Sequence, residues 1–152
     1  MTVSNQIPEP LSIIGGMAKK IQNNLTSELH DQFSWKIRFP KNLPIEYEVV
    51  EDEYGEEDVR ILNPTTMAVI NSDNLRTRCR FYVDVNENSV WLLPEKQYEL
   101  GRDYVFIATY YDSKNQKKEI CIAFTLSGEH TLRTFDQKTS IEILSAITSG
   151  KK

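Results

Sequence analysis

The sequence predicts a mostly β protein, an immunoglobulin-like antiparallel β-sandwich of seven or more strands with a short helix at each terminus. Three observations lead there. Between Phe33 and Leu126 apolar and polar residues alternate in repeated short runs, the pattern of strands with one buried face. Clusters such as Asn71-Ser72-Asp73-Asn74 and Asp112-Ser113-Lys114-Asn115-Gln116 separate the runs and supply the polar residues that reverse a chain. These runs do not alternate with long helical patterns, which argues against a parallel sheet with crossover helices.

Residues 1–10 hold two prolines and little apolar content, so they read as a loose lead. Leu11, Ile14, Ala18, Ile21, Leu25 and Leu29 recur at spacings of three and four, the stripe of an amphipathic helix over 11–30. Gly15-Gly16 weakens its first turn, which leaves about Met17 to Leu29 as the dependable part. The sandwich is expected over 33–135. Trp35, Ile37 and Phe39 alternate with Lys36 and Arg38 until Pro40. Ile45, Tyr47 and Val49, a polar tip around Gly55, then Val59 and Ile61 have the order of a β-hairpin. Met67 to Ile70 is a short strand, Leu75 to Val85 a long one, and Val90 to Leu93 another that Pro94 stops. Tyr104 to Tyr111 and Glu119 to Leu126 complete the set. In 139–148, Ile143, Leu144 and Ile147 share a face and Gly150 follows, as in a short terminal helix with a glycine stop.

The chain has 152 residues, 39% hydrophobic and 26% charged, which fits one globular domain able to bury a core without staples. Its net charge of −4, from 18 basic and 22 acidic side chains, lacks the basic dominance expected of a nucleic-acid protein. No apolar run approaches the roughly 18 residues of a membrane span. No secretory signal is visible, which places the protein in the cytoplasm if Met1 is native and in the cell envelope if the sequence is trimmed. Strand parity turns Cys79 inward and Cys121 outward, so both are expected as free thiols.

Ser89-Val90-Trp91-Leu92-Leu93-Pro94, followed by Tyr98-Glu99-Leu100-Gly101-Arg102-Asp103-Tyr104-Val105-Phe106, resembles the bacterial immunoglobulin-like domains of surface-layer and cell-envelope proteins. The resemblance covers about residues 33–126 and implies the sandwich fold. Family members are exported and occur in tandem, whereas one copy with a predicted helix on either flank stands here, so an envelope role is not implied. Independently, Gly101 permits a backbone conformation that side chains disfavour. Tyr104 heads its strand where a hydroxyl can bond backbone upstream, as in a tyrosine corner.

No catalytic, cofactor or metal site is expected. His30 and His130 stand apart from other ligands at zinc spacing, and neither a G-x-S-x-G elbow nor a phosphate loop occurs. The hairpin from Pro44 to Val59 carries Glu46, Glu48, Glu51, Asp52, Glu53, Glu56, Glu57 and Asp58 without a Lys or Arg. Removing these eight leaves 14 acidic against 18 basic side chains. Such a surface suits a basic partner better than calcium, since the D-x-D-x-D-G order is missing; as a solvated tip it would also discourage edge-to-edge aggregation. Arg76, Arg78 and Arg80 alternate along one strand face, where they can grip anions or pair with Glu46 and Glu48. Trp91, Leu93, Val105, Ile107, Tyr111, Cys121 and Ala123 face away from the expected core, an apolar outer surface that a terminal helix, a protein partner or a second copy should cover. The expected role is a non-enzymatic protein–protein interaction or assembly module. The alternative is a small-ligand or carbohydrate-binding domain stacking its ligand on Trp91, Tyr82 and Tyr111.

Overall fold

A computed structural model describes residues 12–17, 33–128 and 131–150, with the side chains of 12–17, 33 and 34 left aside. The described chain is mostly β. Its strands are β1 (Ser12–Met17), β2 (Phe33–Arg38), β3 (Glu46–Glu51), β4 (Glu57–Asn63), β5 (Thr66–Asn71), β6 (Cys79–Asp84), β7 (Ser89–Pro94), β8 (Asp103–Tyr111), β9 (Lys117–Gly128) and β10 (Thr131–Thr134), followed by helix α1 (Gln137–Thr148). Three antiparallel sheets result: β1-β2-β7-β6, β10-β9-β8-β5, and the hairpin β3-β4.

The two four-stranded sheets share one apolar cluster, to which every second residue of their facing sides contributes. Trp35, Ile37, Val90 and Leu92 come from the first sheet, and Val69, Tyr104, Phe106, Ala108, Tyr110, Ile120, Ile122, Phe124 and Leu126 from the second. Aromatic rings span the gap in two groups. Trp35 stacks on Tyr98 at 5.6 Å and Tyr98 meets Tyr104 at 4.4 Å; Phe106 lies 6.1 Å from Phe81 and 6.2 Å from Phe39. The period-two reading of the core thus holds along β2, β7, β8 and β9.

The corner before β8 forms as the residues imply. Gly101 has φ +76°, and its N–H donates to the Leu126 carbonyl at 2.9 Å. The Tyr104 hydroxyl accepts from the Glu99 N–H at 2.9 Å while its ring is buried. Tyr104→Phe keeps the ring and removes this acceptor, so it should lower stability by about 1 kcal/mol. Urea unfolding checks this through a lower midpoint at unchanged slope, and a coincident midpoint would show the bond contributes nothing.

Three elements differ from expectation. Ser12–Met17 is a strand paired with β2 from Ser12↔Arg38 to Met17↔Phe33, where the apolar spacing predicted the start of a helix. β-branched Ile13-Ile14 followed by two glycines is poor helix material, and β2 otherwise lacks a second neighbour. The rest of that predicted helix lies outside the described residues. The long strand expected over Leu75 to Val85 is regular only in β6. Its first part closes the gap between sheets, with the Thr77 N–H on the Val69 carbonyl at 2.8 Å and the Glu95 N–H on the Arg78 carbonyl at 3.0 Å. Strand β10, not anticipated, pairs with the end of β9 from Phe124 onward. One residue earlier Ala123 turns to other partners: its carbonyl accepts from the Phe135 N–H at 3.0 Å and its N–H donates to Ser140 Oγ at 2.9 Å.

Helix α1 begins two residues before the expected 139 because Asp136 caps it, accepting from the Thr139 N–H at 2.7 Å. That bond holds the Asp136 carboxyl below its ordinary pKa. At the other end Gly150 takes φ +73°, the conformation that ends helices.

Candidate functional site

The outward apolar residues divide between two opposite faces. Val105, Cys121 and Ala123, with Ile70 of β5, form a second buried cluster with Ile147 of α1, and Ile107, Phe135, Ile143 and Leu144 pack around it. The C-terminal helix therefore covers this half of the proposed partner surface. Trp91 and Leu93 lie on β7, in the other sheet, and face outward there, because their neighbours Val90 and Leu92 point into the core. Leu93 is buried, Trp91 half-buried, and the Lys36 ammonium sits 5.6 Å over the indole. Tyr111, at the end of β8, is exposed on the far side of the molecule from Trp91. Tyr82 is the cross-strand neighbour of Trp91, so the three aromatics do not form one stacking platform.

The acidic hairpin is a separate two-stranded ribbon. Val49 faces Val59 and Tyr47 faces Ile61 across its strands; only Ile61 packs against the core, leaving Tyr47, Val49 and Val59 exposed. On the opposite face Glu48 pairs with Arg60, so the expected pairing of the Arg76 row with Glu46 and Glu48 does not form. The tip is closed by Gly55 at φ +79° and by Asp52, whose Oδ1 accepts from the N–H groups of Tyr54 and Glu56 at 2.9 Å. Tyr54 projects at the turn with 82% of its surface exposed. Glu51, Asp52, Glu53, Glu56, Glu57 and Asp58 surround it, all exposed. At the root, the buried Asn63 side chain imitates a strand partner for Tyr111, donating to its carbonyl at 2.7 Å and accepting from its N–H at 3.0 Å.

At the other end of β8 lies a cleft of about 550 Å³, within the range of ligand sites. The β5–β6 connection supplies Leu75, Arg76 and Arg78; the β7–β8 connection supplies Lys96, Tyr98 and Arg102. Arg102 is held by Asp73 and Glu99, and the Glu99 hydrogen bond raises its already high pKa. Arg76, Arg78 and Lys96 are exposed and form no ion pair with any described carboxylate. Tyr98 lines the same cleft; its phenolic oxygen lies beside Cys79 and Thr77 without a well-formed hydrogen bond, and burial drives its pKa well up. Sequence periodicity grouped Arg76 and Arg78 with Arg80, but Arg80 reaches Tyr82 on the outer face of β6. Lys96 and Tyr98 join the group only through the meeting of two loops distant in sequence.

Both cysteines are free. Cys79 packs against the main cluster and Cys121 belongs to the cluster under α1, so burial pushes each thiol from 9.0 up to about 11. A thiol pushed up to about 11 holds far less thiolate at pH 8 than the same group in the unfolded chain. Labelling with a maleimide at pH 8 should accordingly be slow in buffer and fast in denaturant; equal rates would contradict the burial. Because the native thiols hold their protons longer, their stabilising contribution is complete below pH 9 and declines as pH rises through 11.

Among the described residues no group of three or more His, Cys, Asp and Glu is placed to hold a metal ion, and no helix is long and apolar enough to cross a membrane. His30 and His130 fall outside those residues. Compared with protein-family models, curated proteins and solved structures, the chain matches none.

Proposed function

We propose that this chain is a non-enzymatic protein–protein interaction module built on an immunoglobulin-like β-sandwich. Strand order supports the architecture. With the hairpin and β10 set aside, the remaining seven strands lie in the order first, second, fifth, fourth in one sheet and third, sixth, seventh in the other, the arrangement of a constant-type immunoglobulin domain. Tyr104 then occupies the sixth strand, where that fold carries its tyrosine corner.

The hairpin inserted between the second and third of these strands carries the functional reading. It projects Tyr54 from a ring of carboxylates and leaves Tyr47 and Val49 uncovered. Exposed aromatics that can be desolvated at the centre of a contact supply most of an interface's energy, and surrounding charge steers encounter and selects partners. Capture on immobilised protein from an extract of the producing cells tests the reading. Wild type should retain a partner that a variant with Glu51, Asp52, Glu53, Glu56, Glu57 and Asp58 changed to the matching amides loses. Retention of nothing, or equal retention by both, would sink the reading.

A further inference from the structure

Resting on that reading, we infer that the hairpin's partner is a second copy of this chain, whose cation-lined cleft receives the acidic tip head to tail. The two surfaces are complementary in charge. The hairpin holds eight carboxylates against one cation, Arg60, and the remainder of the chain has 17 basic against 14 acidic side chains. Four cations, Arg76, Arg78, Lys96 and Arg102, outnumber the two carboxylates Glu95 and Glu99 in the cleft lining; Arg76, Arg78 and Lys96 have no ion pair with a described carboxylate, and guanidinium groups bind carboxylates in two-pronged geometry.

They are complementary in apolar character as well. Tyr54 crowns the tip at 82% exposure, and Leu75 in the cleft is 60% exposed. A tyrosine set among acids against a leucine beside Arg76 and Arg78 is the composition of a desolvated anchor with a charged rim.

The tip does not occupy its own cleft: Tyr54 is 82% exposed, and Arg76, Arg78 and Lys96 have no ion pair with a described carboxylate. The hairpin root is bonded to Tyr111 and the cleft is built around Tyr104 and Arg102, so the two sit at opposite ends of the nine-residue strand β8, roughly 27 Å apart at strand rise. Contact between two hairpins is opposed by their like charge. A tip-to-cleft contact uses different patches on each copy, and so closes into a ring or propagates.

Sedimentation velocity on the purified chain tests this. Wild type should associate with rising concentration at low salt and dissociate in about 0.5 M NaCl, where exposed ion pairs are screened. Tyr54→Ala should weaken association at least about tenfold, as should the double variant Arg76→Glu with Arg78→Glu; unchanged melting curves will show that both fold. Each variant keeps one intact surface, so mixing them should yield a one-to-one dimer and nothing larger. Three results would overturn the inference: a monomer at every concentration and salt, self-association that neither variant reduces, or arginine-dependent binding of inorganic phosphate to a chain that stays monomeric. Hairpin-dependent capture of a different protein, with a monomeric pure chain, would overturn this inference and leave the interaction reading standing.

Discussion

Phe106→Ala should destabilise the protein by about 3–5 kcal/mol, the cost of emptying a large aromatic site in a packed core. Phe106 is fully buried on β8 and its ring lies between Phe81 of β6 and Phe39 beyond β2, so the cavity would open between the sheets, where neither can relax inward without losing contacts with the other. Against a typical total of about 5–15 kcal/mol this is a large fraction. At roughly 2–4 °C per kcal/mol for a chain of this size, the melting temperature should fall by roughly 6–20 °C in a calorimetric scan. A shift under about 2 °C would mean that the aromatic bridge does not hold the two sheets together.

Asn88→Ala should cost about 2–5 kcal/mol although Asn88 is a turn residue. Its φ is +53°, which alanine adopts at a penalty of about 1–2 kcal/mol. Its side chain organises the loop ahead of the hairpin: Oδ1 accepts from the Ile45 N–H at 2.7 Å, and Nδ2 faces the carbonyls of Phe39, Pro40 and Leu43 at 3.1–3.4 Å. Removing it orphans a partly buried amide, a further loss of about 1–3 kcal/mol. Asn88→Gly separates the two causes, since glycine accepts the backbone angle and loses the same bonds. Both can be followed by chemical unfolding and by hydrogen exchange at Ile45. If glycine matches wild type, the bonds contribute nothing and the backbone angle alone explains the asparagine.

What the sequence revealed was local. Alternation along β2, β7, β8 and β9 identified the shared core, Gly101 and Tyr104 identified the corner, and Ile143, Leu144 and Ile147 identified the helix that covers Val105 and Cys121. Parity tells which side of a sheet a residue occupies but not which sheet it belongs to. Trp91 and Leu93 were for that reason grouped with Val105 and Ile107, which lie across the molecule. The same limit applies to the candidate site: the acids of 46–58 are contiguous and could be read directly, whereas the cleft joins residues 75–78 to 95–104 and arises only when the strands are placed. Ser12–Met17 was misread because its pairing with β2 is non-local, while the apolar spacing that suggested a helix is written in the segment itself.

The handover at Ala123 determines where the outer rim of β9 is open to another strand. A strand with unpaired amides along its rim is a template on which another chain can lengthen the sheet. Beyond Phe124 that rim of β9 is occupied by β10, and at Ala123 Phe135 and Ser140 take both backbone groups. Only the first half of β9 is left without a neighbour on that side among the described sheets, and it opens with Lys117, Lys118 and Glu119. Charges there hinder the approach of a like segment, so this stretch of β9 is a poor template for edge-to-edge growth.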